Sequence, residues 1–358
     1  MCAVIRAQRH KSASRNSHQS AINVSKLGNR SHSPMKTLDA KLAKIRAGTY
    51  TPKDFIIADA KDGDMGAGCE SPGPKRDGSG MKSRVDHLAA MTEMTKSGLV
   101  DIMLTSLSSA EILTEQGLFA DSKVTLSVRL NDTSDIWGMR GATYKQTPQR
   151  PFRTANIAAA AKVSDLGLYS VTFNNNVALD LATLEAYGAF REELAATKVR
   201  HFLEVFNPAM DIGLKGGTLA EYCNDCIIKT LAGVTKSQQP LFLKQQYNGA
   251  KAVSELAAYD PSRLIIGVLG GGKGTNRDTF ELAAQAEKAG ARVALFGRKI
   301  NLAESPTDLV KHMRLVVEGE LKGAEAVKSY HDVLAKKKIK ADRDLKADSE
   351  ITDPILKA

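Results

Sequence analysis

Two ionisable side chains of opposite charge, Lys244 and Glu204, stand within apolar stretches that alternate like β-strands. Lys244 shares one face of its stretch with Phe242, and Glu204 shares one face with Phe202. Burial lowers the pKa of an amine, and a neutral amine condenses with a ketone or aldehyde to an iminium that makes or breaks the adjacent carbon–carbon bond. A carboxyl group in a partly apolar cavity is suited to move the protons. The alternative is that Lys244 is only the ion-pair partner of an interior carboxylate.

Further polar side chains stand along neighbouring stretches or directly after them. Asp59 and Asp62 stand at the end of the first stretch, and we predict that Asp59 orients a substrate hydroxyl group. Arg129 suits an anionic or polyhydroxy ligand, although it could equally neutralise Glu204 or Asp59. The polar faces of the third and fourth stretches predict three ligand-binding residues: Arg129, Asn131 and Asn174.

A repeating order of β-type run, polar loop and amphipathic helix positions these side chains. The eight predicted strands are Phe55–Ala60, Asp101–Thr105, Val124–Asn131, Tyr169–Asn174, His201–Phe206, Leu241–Tyr247, Leu264–Leu269 and Arg292–Gly297. The predicted helices are Arg84–Lys96, Ser108–Gln116, Ala155–Val163, Leu179–Ala196, Leu219–Leu231, Ala250–Tyr259, Arg277–Ala289 and Thr307–Val317. This order predicts an α/β protein with a (β/α)₈ (TIM) barrel, and the alternative is a doubly wound open sheet. The polar residues that alternate along the strands favour the barrel, because strands buried on both faces of an open sheet are apolar almost throughout.

Two glycine-containing segments follow the seventh and eighth predicted strands. In barrels, the loops at these two places often bind a phosphate group through backbone N–H groups. The predicted phosphate-binding residues are Gly270, Gly271, Gly272, Lys273, Gly297 and Arg298. The alternative interpretation is that such a glycine run is only a flexible turn. A nucleotide-binding P-loop is disfavoured, because Gly274 stands where that motif needs Ser or Thr.

The segments Phe202-Leu203-Glu204, Leu243-Lys244 and Gly297-Arg298 resemble the bacterial-type class I (Schiff-base) aldolases. That group includes tagatose-bisphosphate and class I fructose-bisphosphate aldolases and, more distantly, deoxyribose-phosphate aldolase. The resemblance extends over about residues 54–318 and is firmest over residues 200–305. It implies a metal-independent lyase that cleaves or forms a carbon–carbon bond in a phosphorylated sugar or related keto compound.

The resemblance also implies roles for individual residues. Lys244 would form the Schiff base, Glu204 would be the acid/base group, and Asp59 would match the aspartate of the first strand. The phosphate would lie at Gly297 and Arg298, with backbone donors from Gly271 and Gly272. The chain departs from tagatose-bisphosphate aldolases in having Arg129 near the place of a further interior lysine, and in a long loop at residues 63–81 that is either a lid or a surface excursion. Two alternatives stay open: a Schiff-base transferase or isomerase, and a sugar-phosphate-binding regulator without turnover.

Composition excludes several other classes of function. The net charge is +10, but seven basic residues and no acid lie within residues 1–36, which leaves +3 for the rest of the chain. With 5% aromatic residues as well, nucleic-acid binding is not expected. No apolar run approaches the roughly 20 residues of a membrane span. Cys223 and Cys226 form a single CxxC pair that we interpret as small apolar helix residues, and four cysteines in 358 residues make no disulfide framework.

The chain divides into three parts by sequence. Residues 1–36 are predicted to be a disordered basic extension, a transit peptide or a product of an upstream start codon; residues 37–335 to be the barrel; and residues 336–358 to be a lysine-rich, solvated tail. We expect a cytoplasmic homo-oligomer that uses neither a cofactor nor a metal and does not bind a membrane.

Overall fold

The eight predicted strands form a closed barrel of parallel strands. The computed structural model describes residues 35–136 and 138–357, so most of the predicted basic extension, residues 1–34, lies outside the described residues. The strands are β1 Ile56–Ala60, β2 Ile102–Thr105, β3 Thr125–Arg129, β4 Asp132–Thr133, β5 Pro151–Phe152, β6 Leu166–Thr172, β7 Arg200–Phe206, β8 Leu243–Gln245, β9 Gly267–Leu269 and β10 Val293–Phe296. The barrel order is β1-β10-β9-β8-β7-β6-β3-β2, while β4 and β5 form a separate antiparallel hairpin.

Helices alternate with the barrel strands. They are α1 Thr37–Arg46, α2 Asp64–Ala67, α3 Arg84–Ser97, α4 Leu107–Glu115, α5 Ile157–Ala160, α6 Val177–Ala195, α7 Gly216–Ala232, α8 Ala250–Tyr259, α9 Asn276–Lys288, α10 Arg298–Asn301, α11 Pro306–Val317, α12 Gly323–Lys336 and α13 Leu345–Asp348. The predicted (β/α)₈ barrel is therefore confirmed. The open sheet is excluded, because β1 pairs with β10 at Ile56–Val293 and with β2 at Ala58–Ile102, which closes the ring. No helix in the described parts of the chain is long and apolar enough to cross a membrane.

An apolar layer fills the interior of the barrel at the amino end of the strands. The charged interior residues therefore lie nearer the carboxyl end. Buried interior side chains such as Ile56, Ile102 and Phe202 pack against Leu38 and Leu42 of α1. These two leucines close the amino end of the barrel. The sequence pattern did not predict α1, because its ten residues include three Lys and Arg and only a narrow apolar stripe. Chemistry is thereby restricted to the carboxyl end, where barrel enzymes carry it.

The C-terminal segment, which we predicted to be a solvated tail, is exposed over most of the described residues 336–357 but contacts the barrel at a few buried positions. After α12 the chain returns across the start of α9, where Asp348 is buried and Leu356 joins the outer apolar layer. The Thr352 hydroxyl group donates to Asp278 of α9, and the Gln285 side chain donates to the Leu356 carbonyl at 2.9 Å. A few buried contacts, rather than the average polarity, therefore fix this segment.

Replacing Asp348 with alanine is expected to destabilise the protein by about 2–4 kcal/mol, because buried donors lose their acceptor. The Asp348 carboxylate accepts from the Asn276 backbone N–H at 2.9 Å, from the Asn276 side chain at 2.6 Å and from His331 at 2.9 Å. Urea unfolding measures the change. Asp344→Ala is the matched control, since Asp344 is an exposed residue that caps the start of α13 and its loss costs about 1 kcal/mol. Equal small losses for both variants would contradict this role of Asp348.

Candidate active site

Lys244 and Glu204 form an ion pair inside the barrel. They are directly opposite each other in the register of β7 and β8, and the Lys244 Nζ lies 2.6 Å from the Glu204 Oε1. The whole residues are 5% and 1% exposed, respectively. Their strand neighbours Leu203 and Leu243 pack in the outer apolar layer, so the alternation along each strand turns both charges inward. The amine that could act as a nucleophile thus already contacts a carboxylate that could accept its proton.

Arg129 of β3 joins three buried carboxylates in the same interior. Its Nε donates to Asp62 Oδ2, its Nη2 donates to Glu204 Oε2 at 2.9 Å, and its Nη1 lies 3.2 Å from Asp132 Oδ1. The Ser170 hydroxyl group accepts from Nη1 at 2.9 Å and donates to Glu204 Oε2 at 2.7 Å. We call the set Asp62, Arg129, Asp132, Glu204 and Lys244 the interior cluster. Asp132 was not predicted, although it follows Arg129 by only three residues.

The charges of the interior cluster set the protonation of its members. Burial acts to raise the pKa of Asp62, but Arg129 and Lys244 outweigh burial and the pKa is lowered. Burial raises the pKa of Asp132, with Glu204 and Asp62 adding to the effect. Arg129 therefore holds Asp62 ionised, and its guanidinium group is occupied by the protein's own carboxylates. Of the two carboxylates that we predicted Arg129 could neutralise, it contacts Glu204 and not Asp59, and it contacts Asp62 as well.

Asp59 does not join the interior cluster. It stands opposite Met103 and Phe296, both of which belong to the outer apolar layer, whereas the interior positions of β1 are Ile56, Ala58 and Ala60. Its carboxylate lies 3.1 Å from the Lys61 Nζ, which also donates to Asn301 at 3.3 Å. Through Lys61, Asp59 thus links the end of β1 to α10. The interior aspartate is Asp62, which follows the interior positions Ala58 and Ala60 at the same spacing of two residues and contacts Arg129.

The predicted ligand-binding residues Asn131 and Asn174 are engaged by the backbone. The Asn131 side chain donates to the Ser170 carbonyl at 2.8 Å and accepts from the Ser170 N–H. Asn174 accepts from the Gln149 N–H at 2.9 Å and donates to its carbonyl at 3.3 Å. Asn131 therefore positions Ser170 beside Glu204, while Asn174 anchors the excursion that contains β4 and β5. Both amides hold the walls of the site together.

The two predicted glycine loops lie side by side. The Lys299 Nζ, from the loop after β10, donates to the Lys273 carbonyl in the loop after β9 at 3.2 Å. Gly271 has φ +66°, and a Cβ on Gly297 would lie only 2.9 Å from the Ala60 carbonyl, so both positions require glycine. Among the described residues, the N–H groups of Gly271 and Gly272 donate to no other group. These loops offer backbone donors to an anion.

The basic side chains of the two loops differ from the prediction in their surroundings. Lys273 forms an ion pair with Asp342 of the C-terminal segment, and Arg298 is exposed. Lys299 is buried instead, and burial lowers the pKa of its amine to about 8. Sequence reasoning missed Lys299 because only the folded chain shows that it points at the neighbouring loop. Lys299 thus links the two loops, a role that neither loop sequence indicates.

Replacing Lys299 with methionine is expected to raise the KM for a phosphorylated substrate about tenfold and to leave kcat within about threefold. The variant loses the hydrogen bond that holds the Lys273 carbonyl, so the loops separate more easily. Thermal stability should not fall, because burying the amine costs solvation. Steady-state kinetics compares the KM of this variant with that of Lys288→Met. Lys288 is an exposed lysine of α9, so its replacement serves as the control. An unchanged KM would contradict this role.

Two loops meet above the interior cluster at the carboxyl end of the barrel. The loop after β1 contains α2 and extends to the Pro74–Met81 bridge, and the excursion after β3 contains the hairpin β4-β5. The Gly138 N–H donates to the Gly66 carbonyl, and Arg140 lies 3.7 Å from Glu70. The 63–81 loop, predicted to be either a lid or a surface excursion, therefore packs against a second loop at this end of the barrel.

The CxxC pair packs as apolar helix residues. Cys223 is buried in α7, and burial raises the pKa of its thiol to about 12, so the reactive thiolate is scarce at neutral pH. Among the described residues, no group of three or more His, Cys, Asp or Glu side chains is arranged to hold a metal ion.

The chain is thus a (β/α)₈-barrel protein with a charged cluster at the end of the barrel where such enzymes act. It is similar in structure to an archaeal fructose 1,6-bisphosphate aldolase, with a TM-score of 0.57 and 13% identity over 79% of this chain and 99% of that chain. A Schiff-base-forming fructose-1,6-bisphosphate aldolase has a TM-score of 0.57 and 14% identity over 78% and 99%. A structural-genomics protein from Corynebacterium glutamicum has a TM-score of 0.50 and 18% identity over 80% and 98%. At such identities the likeness establishes the fold.

No family profile matches the sequence, and a search of curated proteins finds no match. The structural neighbours nevertheless include Schiff-base aldolases. The particular reaction of this chain therefore has to be argued from its own interior cluster.

Proposed function

We propose that the protein is a Schiff-base lyase that cleaves or forms a carbon–carbon bond in a phosphorylated hydroxyketone. The observation that carries the proposal is the buried contact of 2.6 Å between the Lys244 Nζ and the Glu204 Oε1. Burying two charges costs solvation free energy, so a protein that only binds a ligand has little reason to keep them. The pair supplies both a nucleophile and an acceptor for the nucleophile's proton.

The proposed reaction begins with transfer of the Lys244 proton to Glu204. The neutral amine then attacks the ketone carbon, and loss of water gives an iminium. The iminium withdraws electrons from the bond between its α and β carbons. That bond breaks when a base removes the proton of the hydroxyl group on the β carbon. Arg129 and Ser170 bond to the Glu204 Oε2, so they orient this carboxyl group while its Oε1 faces Lys244.

The charges around Lys244 favour a substrate that is uncharged near its carbonyl group. The guanidinium of Arg129 already contacts Asp62, Asp132 and Glu204, so among the described residues the interior cluster offers no free cation to a carboxylate. A 2-keto acid such as pyruvate would bring its carboxylate into an interior with three carboxylates. A hydroxyketone brings none, and its phosphate group would bind at Gly270–Lys273 and Gly297. These contacts support a ketose phosphate over a keto acid.

The comparisons support the proposal through the neighbours' own chemistry. A further structural neighbour, with a TM-score of 0.56 and 14% identity, is an archaeal fructose-1,6-bisphosphate aldolase whose catalytic lysine is covalently bound to the carbinolamine intermediate of the substrate. The present chain offers Lys244 for the same bond on a barrel of the same kind. We further propose that the reaction needs no metal and that the protein works in the cytoplasm as a homo-oligomer.

The test is turnover of a panel of ketose phosphates, including fructose 1,6-bisphosphate, in the presence of a metal chelator. The proposal predicts release of a three-carbon phosphate and no turnover of pyruvate with an aldehyde. Rearranged or transferred products would favour an isomerase or transferase instead. Binding without turnover by the wild type, unaffected by Lys244→Ala, would favour a regulator. Activity that chelator abolishes would overturn the proposed mechanism.

A further inference from the structure

The interior cluster contains one more carboxylate than cations. Arg129 and Lys244 supply two positive charges, while Asp62, Asp132 and Glu204 supply three negative charges. All five residues are buried, with exposures between 1% and 6%. Three carboxylates around one guanidinium interact strongly, so one of them retains a proton more readily than an isolated carboxyl group does. The cluster becomes neutral when it keeps one proton.

The contacts identify which carboxylate keeps that proton. Glu204 accepts hydrogen bonds from Lys244, Arg129 and Ser170, and Asp62 accepts one from the Arg129 Nε. Asp132 has the weakest contact of the three: its Oδ1 lies 3.2 Å from Arg129 and accepts from the Thr133 N–H at 2.8 Å. No described residue bonds to its Oδ2. Burial also raises the pKa of Asp132 while the pKa of Asp62 is lowered.

We propose that Asp132 retains a proton at neutral pH and is the acid that protonates the oxygen leaving as water during iminium formation. This inference rests on the proposed function. Asp132 begins the hairpin β4-β5 at the carboxyl end of the barrel, and its Oδ2 would be 3.7 Å from a Cβ on Gly66, in the loop after β1. The carboxyl group therefore lies between the interior cluster, which it contacts through Arg129, and the loop after β1.

The proton balance of the step is complete. Lys244 gives one proton to Glu204, and the neutral amine bonds to the ketone carbon while the carbonyl electron pair moves to oxygen. A proton passes from the attached nitrogen to that oxygen, which gives the neutral carbinolamine. Asp132 then protonates the hydroxyl group, the carbon–oxygen bond breaks, water leaves, and the nitrogen lone pair forms the iminium. The total charge is unchanged: a protonated Lys244 and an ionised Glu204 are replaced by an iminium and an ionised Asp132.

Infrared spectroscopy of the full chain with ¹³C-labelled aspartate tests whether Asp132 is protonated. We expect the wild type at pH 7 to show a protonated carboxyl band that Asp132→Asn removes. Asp135→Asn is the matched control, since burial also raises the pKa of Asp135, which accepts from Thr172 and from the Ala209 N–H outside the interior cluster. That variant should leave the Asp132 band in place. Identical spectra for the wild type and Asp132→Asn would overturn the proposal.

A kinetic measurement tests the proton transfer itself. Asp132→Asn should slow iminium formation with fructose 1,6-bisphosphate, measured by timed borohydride trapping, by about 10²-fold. The variant should also lose the wild type's fall in rate at high pH, and Asp132→Glu should restore part of the rate. Unchanged trapping kinetics in Asp132→Asn would overturn the acid role. If the wild type itself forms no iminium, the proposed function fails, and the infrared result alone decides whether Asp132 carries the proton.

Discussion

Replacing Lys244 with arginine is expected to abolish turnover, with a loss of more than about 10³-fold in kcat. Arginine keeps a positive charge beside Glu204, so the fold and the interior ion pair survive. A guanidinium group stays protonated and forms no iminium, so only the covalent chemistry is lost. Lys244→Met should lose as much activity, and it should also lose stability because Glu204 keeps one partner fewer.

Steady-state rates and circular dichroism on both variants make this comparison. Lys61→Arg provides the matched control, because Lys61 is another buried lysine that pairs with a carboxylate, Asp59, but lies outside the interior cluster. It should keep kcat within a few-fold of the wild type. Retention of substantial activity by Lys244→Arg would mean that the lysine acts only as a charge, and a Schiff base would no longer be tenable.

Replacing Arg129 with methionine is expected to lower the free energy of unfolding by about 3–5 kcal/mol at neutral pH, because buried carboxylates lose their partner. The loss of stability is expected to depend on pH, and its direction follows from the pKa values of the buried carboxylates. In the wild type the lowered pKa of Asp62 contributes stability above its unfolded value of about 3.9, and that stability is lost as pH falls through the folded pKa. In the variant the carboxylates are buried without the guanidinium, so their folded pKa values rise and stability is lost as pH increases.

Urea unfolding between about pH 5 and 8 measures this effect. The curves for the wild type and Arg129→Met should approach each other toward acid and separate toward neutral pH. Arg153→Met is the matched control, since Arg153 forms a half-exposed ion pair with Glu193 and its loss should cost about 0.5 kcal/mol or less at any pH. A constant, pH-independent loss for Arg129→Met would show that packing, and not charge, is what Arg129 contributes.

The barrel could be predicted from sequence because its strands carry a strong local signal. The alternation in β3, where Thr125, Ser127 and Arg129 share one face, matches the face that the structure turns inward. The same rule placed Glu204 and Lys244 in the interior. The choice of Asp59 did not use this rule. Alternation places Asp59 on the outward face with Phe55 and Ile57, and it places Asp62 at the spacing of the interior positions Ala58 and Ala60.

Other parts of the site depend on contacts between distant segments, which no local pattern records. Asp132 belongs to a two-residue strand that pairs only with β5, some 19 residues further along, so periodicity gives no signal for it. Lys299 was visible in the sequence, but its contact with the Lys273 carbonyl requires two loops to meet. The buried Asp348 is likewise fixed by Asn276 and His331 rather than by its neighbours in the chain.

The most direct measurement is borohydride reduction of the full chain with each ketose phosphate, followed by peptide mass spectrometry. The account predicts one stable adduct, on the peptide that contains Lys244, and none when that residue is arginine. Lys299 is the internal comparison, because burial brings the pKa of its amine to about 8 and makes it the other plausible nucleophile. An adduct on Lys299 alone, or turnover of a ketose phosphate without any adduct on Lys244, would contradict the account.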